Sequence, residues 1–255
     1  MAEQAQNPFF RGFRLALEGM KTAFRSREVR RAYLEAVAII FVLGLGFAAA
    51  AIWALWTYGP PEPGAALWLV ITLWIACVVG TLLALLLGPL LAIFVVNIAF
   101  PFFNVGVFMA GMRVIDPERA AGLEGKPGMP MAPAAGIATR RLLKFLLLSV
   151  VFFAIGLIPV VGTILGTVGE LLLAARTIAW ELLDPYFDIL DIRYAEQKEI
   201  VARHKRALLG FGLPVSLMLG IPLVGPFLFG LAQVAGAAFV ASELPVDPRE
   251  GDEAG

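Results

Sequence analysis

Ile158-Pro159-Val160-Val161-Gly162 interrupts the apolar run 145–183, and Ile221-Pro222-Leu223-Val224-Gly225 interrupts the run 207–242 in the same way. The arm before Pro159, from Phe145 to Ile158, has 14 residues, and the arm before Pro222, from Ala207 to Ile221, has 15. A hydrocarbon core of about 30 Å needs roughly 20 apolar residues per helix at about 1.5 Å each. The arms are too short to cross comfortably. The spacing therefore predicts two proline-broken helical hairpins that dip halfway into a bilayer and return, with Pro159, Gly162, Pro222 and Gly225 at their tips. The two breaks lie 63 positions apart and form a weak internal repeat.

Composition agrees with a membrane setting. Of 255 residues, 60% are hydrophobic and 16% charged, against roughly 45–50% and about 25% in soluble domains. Lys and Arg number 20 and so do Asp and Glu, so no overall charge draws the chain to nucleic acid. Cys77 is the single cysteine and excludes an intrachain disulfide. The single histidine, His204, stands among Arg203, Lys205 and Arg206, which argues against a metal site. No phosphate loop, cysteine pair or nucleophile elbow is present, so we expect neither an enzyme nor a bound cofactor. No secretory signal peptide is visible; the first apolar run, starting near Ala36, is expected to act as an uncleaved membrane signal.

The reading along the chain is an all-α integral membrane protein, one membrane domain over residues 1–243. Phe9, Phe13, Leu17, Met20 and Phe24 form the stripe of an amphipathic helix within 8–34, with Arg11, Arg14, Lys21 and Arg25 opposite. It lies either on the membrane surface or against other protein. Residues 36–58 form a first long span ending in Trp53, Trp56 and Tyr58. Residues 65–112 form a long second span with a bent extension after Gly88-Pro89. Residues 142–183 and 207–242 are the two hairpins, residues 113–139 a flexible loop, and residues 244–255 a disordered acidic tail.

Basic residues orient these pieces. Lys and Arg number seven in residues 1–35, none in 59–64, six in 113–144 and six in 176–206. The positive-inside rule puts the rich segments and both termini in the cytoplasm and the short turn outside.

Few polar groups lie at membrane depth. Thr163, Thr167 and Glu170 are spaced four and three apart on one helix face. They line a pathway, or Glu170 is a buried carboxylate paired with a basic group from another helix or neutralised by a raised pKa, because a bare charge there costs several kcal/mol. Asn97 and Asn104 flank Pro101 and either satisfy backbone groups freed by the proline or touch a polar solute. Arg30 and Arg31, before the first span, either anchor its orientation or attract an anion through guanidinium forks.

Taken together, these segments resemble the CysZ-type sulfate permease family, which shares its domain with the etoposide-induced membrane proteins. The similarity runs from about Phe9 to Ala241. Its anchors are Val29-Arg30-Arg31, Ile98-Ala99-Phe100-Pro101-Phe102-Phe103-Asn104, Ile158-Pro159-Val160-Val161-Gly162, Ala179-Trp180 with Asp184-Pro185-Tyr186-Phe187-Asp188, and Ile221-Pro222. The resemblance implies two long membrane helices with two half-penetrating hairpins, assembled as homo-oligomers in the bacterial inner membrane. It implies uptake of sulfate for assimilation, with an oxyanion site at the positions of Arg30 and Arg31. Two departures stand out: Glu28 occupies the place of an expected glycine, and Asp184-Pro185-Tyr186 changes an expected order. The expected partners are membrane lipids, a small oxyanion and further copies of the chain. The rival expectation is a membrane scaffold or envelope-organising protein of the same domain family that transports nothing.

Overall fold

Asn7 opens the first helix by accepting a hydrogen bond from the Phe9 amide at 3.1 Å, and Pro8 takes the first helical position, where its missing N–H costs nothing. The computed structural model describes residues 7–99, 102–221 and 225–246. Helix α1 (Pro8–Arg25) stops at Ser26, whose backbone leaves the helical region while its amide still donates to the Thr22 carbonyl. The Ser26 hydroxyl then accepts from the Val29 amide at 3.3 Å and starts α2 (Arg27–Tyr58). One serine thus divides the stretch read as a single helix over 8–34, and Arg30 and Arg31 belong to the beginning of the first long helix.

The remaining elements are α3 (Leu67–Ala99), α4 (Phe102–Ile115), α5 (Pro117–Leu123), α6 (Met131–Gly156), α7 (Val161–Glu181), α8 (Asp184–Ile189), α9 (Tyr194–Arg203), α10 (Lys205–Leu219) and α11 (Gly225–Glu243). Every regular element among the described residues is helical, as the apolar blocks require. Among the described residues, three stretches are long and apolar enough to cross a membrane: Arg27–Tyr58, Leu67–Gly88 and Val161–Ile189. The loop anticipated over 113–139 is largely helix. Asp116 caps α5 by accepting from the Arg119 amide at 3.0 Å, and only the stretch around Gly125 and Gly128, both at positive φ, is irregular.

Two compact units divide the chain, residues 33–103 and residues 1–32 with 104–255. In the first, Gly88 lets α3 approach the α2 backbone so closely that a Cβ would stand 2.8 Å from the Gly44 carbonyl oxygen. Helix α3 runs on through Gly88-Pro89 to Ala99 without a break. Cys77 is buried, its thiol 3.6 Å from the Leu55 carbonyl, and Trp56 donates to the Thr81 hydroxyl at 3.0 Å. Most other side chains of these helices are exposed and apolar, as faces meant for lipid or another chain are. Trp53, Trp56, Tyr58, Trp68 and Trp74 crowd the ends near the connecting turn, where aromatic rings favour the membrane–water boundary.

The second unit is knit by backbone-to-backbone approach. A side chain on Gly12 would stand 1.9 Å from the Ala207 carbonyl oxygen, one on Gly210 1.9 Å from that of Phe9, and one on Gly212 1.9 Å from that of Ala175. Helix α1 therefore lies on α10 and α11 by its small face, with Gly12, Ala16, Gly19 and Ala23 buried. Of its apolar stripe, Phe13, Leu17 and Phe24 are exposed and Phe9 is half-buried, while Met20 is buried with the small face. The helix packs on protein by one face and leaves the other exposed.

The core of this unit holds Phe108, Met112, Leu182, Tyr186, Phe187, Leu208, Phe211 and Phe239, all essentially inaccessible. The acidic end is docked where it begins. Glu243 accepts from Arg11 at 2.6 Å, Arg119 donates to the Leu244 carbonyl at 3.0 Å, and the Tyr186 hydroxyl donates to that of Pro245 at 2.8 Å. Residues 244–246, assigned to the tail by charge, are thus held, and 247–255 lie outside the described residues.

Gly210→Val would drive a branched side chain against the Phe9 backbone, which cannot yield as a side-chain end would. We expect a loss of about 3 kcal/mol, the upper end for overpacking. The readout is a lower unfolding temperature in detergent, together with faster tryptic cleavage at Arg25.

Candidate functional site

Val29, buried completely, pins the start of α2, so Arg30 and Arg31 emerge from its second turn with exposed side chains. The amide end of a helix carries partial positive charge and favours anions. Glu28, the residue out of place in the resemblance, reaches Arg113 at 3.3 Å. Arg113 also donates from Nε to Glu124 at 2.7 Å. The Glu124 hydrogen bond is the main cause holding the Arg113 pKa above its ordinary value, with Glu28 adding to it. The negative charge beside Arg30 is therefore drawn toward a cation from α4.

Hairpin one forms from α6 and α7, joined by Leu157–Val160. Val161 donates its amide to the Pro159 carbonyl at 2.8 Å, across Val160 at φ 62° and ψ −76°. That is a γ-turn of the strained kind, unusual for a β-branched residue. Gly162 and Gly166 bring α7 onto the α6 backbone near Ile155 and Phe152. Pro159 and Gly162 thus shape a tight reversal. Gly225 does the equivalent at the other break, where a side chain would stand 1.8 Å from the Leu219 carbonyl oxygen. Pro222 lies outside the described residues.

The polar residues of hairpin one do different things. The Thr163 hydroxyl donates to the Gly156 carbonyl at 3.2 Å and closes the turn. Thr167 is exposed. Glu170 turns inward and accepts from the Ser149 hydroxyl at 3.0 Å. Ser149 went unremarked in the sequence because only the antiparallel pairing of α6 with α7 sets it opposite Glu170. Asn104 is half-buried near the start of α4 and is engaged. Asn97 lies on the α3 backbone, and its side chain lies outside the described residues.

The strongest polar constellation was not singled out from the sequence. Arg141, 9% exposed, grips both carboxylate oxygens of Asp184 in a bidentate ion pair. Its guanidinium lies 5.7 Å from the Trp180 ring, which stacks on Tyr194 at 5.9 Å and 11°, and Arg140 covers the Tyr194 ring at 4.6 Å. The Trp180 indole donates to Gln197 at 3.2 Å, and Gln197 donates to the Ile192 carbonyl at 2.9 Å. Burial works against the charge on Arg141, but the Asp184 carboxylate outweighs it and, with Glu181 and Asp188, raises its pKa. In the sequence, Arg140 and Arg141 served only as orienting charges. Asp184 and Trp180 served only as family anchors. What was missing was the 43-residue separation between Arg141 and Asp184, closed only by the hairpin.

A family model described as sulfate transporter CysZ/etoposide-induced protein 2.4 matches residues 9–229. No curated protein matches the chain.

Arg141→Ala would leave Asp184 largely buried without its counter-charge. Removing one partner of a buried pair costs about 3 kcal/mol or more. Thermal unfolding in detergent should show the loss, and Arg141→Lys, which cannot form the fork, should recover only part of it.

Proposed function

The chain belongs to the sulfate transporter CysZ/etoposide-induced protein 2.4 family, and from that membership we propose an inner-membrane permease or channel-like protein for a small oxyanion, sulfate first among them. Arg30 and Arg31 attract the anion at the start of α2. The observation that carries the reading is the pairing of Glu28 with Arg113 at 3.3 Å, which gives the carboxylate preceding Arg30 a cation of its own. Exposure of both guanidiniums supports the same role. Glu170, bonded to Ser149, serves hairpin one as a structural group in this reading, and Thr163 does the same at its tip.

The hairpins are half-penetrating in this proposal. Arg176 and Lys144 are exposed at equivalent levels of α7 and α6 and suit the headgroup region. From Arg176 back to Val161 the helix rises about 22 Å at 1.5 Å per residue, short of a core of about 30 Å. Both termini face the cytoplasm, and copies of the chain assemble around the pathway.

Purified protein in vesicles should admit radiolabelled sulfate faster than empty vesicles do. Arg30→Ala/Arg31→Ala should slow entry by about 10-fold to 100-fold, the worth of charge-assisted hydrogen bonds. Flux equal to empty vesicles would leave the scaffold reading standing in place of transport. Flux indifferent to the double substitution would remove only the site.

Cysteine placed at Val161, with Cys77 replaced, should resist an impermeant thiol reagent from either side. Ready labelling from outside would mean that hairpin one crosses completely.

A further inference from the structure

Hairpin one carries a second feature that the anion pathway does not use. Ser149 meets Glu170 at 3.0 Å, and Gly166 abuts Phe152 and Gly156. This antiparallel register sets Lys144 level with Arg176. Helical phase, about 100° per residue, places Leu148 and Val151 within about 40° of Lys144, and Leu172 and Leu165 within about 40° of Arg176. The two rows flank the seam between α6 and α7 on its same side. Helix α10 packs on the opposite flank of α7, through Gly212 against Ala175 and Ala179.

The result is a shallow groove with an apolar floor and a cationic mouth. Val151, Leu165 and Leu172 are 47%, 58% and 43% exposed, so nothing in this unit covers them. Lys144 and Arg176 are exposed and make no ion pair among the described residues. Arg140, held over Tyr194 at 4.6 Å, adds a third cation one turn nearer the hairpin base. The nearby acids are directed elsewhere: Glu170 to Ser149, and Asp184 to Arg141. Glu181 lies about 140° around the helix from Arg176.

We propose that this groove seats an anionic phospholipid, its phosphate between Lys144 and Arg176 and one acyl chain along the apolar rows toward the hairpin tip. Charge complementarity selects the headgroup. A compact inorganic anion would use the mouth and leave the apolar floor uncovered. A bound lipid would brace a short hairpin whose outer face has no protein neighbour in its own unit. The inference stands independently of oxyanion transport.

The test is native mass spectrometry of the full chain in detergent, with dioleoylphosphatidylglycerol or dioleoylphosphatidylcholine added at equal concentration. The wild type should retain the anionic lipid preferentially. Lys144→Gln/Arg176→Gln should weaken that retention by about 30-fold, from two basic residues near a membrane surface. Lys144→Arg/Arg176→Lys, which keeps both charges, should restore it and so exclude a folding defect. Leu165→Trp, which fills the floor and leaves the cations, should also reduce retention. Equal retention of the two lipids would overturn the proposal. So would displacement by millimolar inorganic sulfate with no effect of Leu165→Trp, the mark of a plain anion site. A change of oligomeric mass in Leu165→Trp would assign the groove to another copy of the chain and overturn it as well.

Discussion

Contacts without side chains hold the hairpin-bearing unit together. Gly12 against Ala207, Gly210 against Phe9 and Gly212 against Ala175 bring helix backbones to distances at which a single methyl group would collide with a carbonyl oxygen. Lipid tails are as apolar as leucine, so apolar side chains gain little by leaving lipid for one another. Close van der Waals packing must supply the association instead, and it is densest where the smallest residues meet. The placement of α1, of both hairpins and of the segment between them follows from these few approaches.

With the backbones so close, charges have few permitted positions. Arg141 is buried and can stay charged because Asp184 meets it with both oxygens while Trp180 covers its face. Arg11 and Arg119 fasten the end of α11 in a similar way, through Glu243 and the Leu244 carbonyl. Cations without such partners, among them Arg30, Lys144 and Arg176, stand on exposed surface. The basic residues thus divide into those clamped by carboxylates or carbonyls and those exposed on the surface.

Several features of the fold were legible from local pattern. The apolar blocks, the breaks at Pro159 and Pro222 and the family anchors each depend on residues close together in the chain. Helix ends were harder. Ser26 terminates α1 and caps α2, yet a lone serine in a continuous amphipathic pattern is a weak stop signal, so one helix was read where two exist. The loop around Asp116-Pro117 was read as irregular because proline opens helices as readily as it breaks them, and here it opens α5. At the site, Arg30 and Arg31 were visible as charge before a span. The answer to Glu28 was not, because Arg113 lies 85 residues away.

The amino-acid sequence by itself determined that this chain is helical and membrane-embedded, that two proline-bearing breaks divide its apolar runs, and which family it resembles. Those properties follow from hydropathy and from backbone preferences, which act within a few residues. Only the tertiary structure decided which charges are neutralised and which are free to bind. It set Glu170 on Ser149, Arg141 on Asp184 and Glu28 on Arg113, and left Lys144 and Arg176 facing one groove. Such pairings depend on distance across packed helices, a quantity that chain separation does not encode.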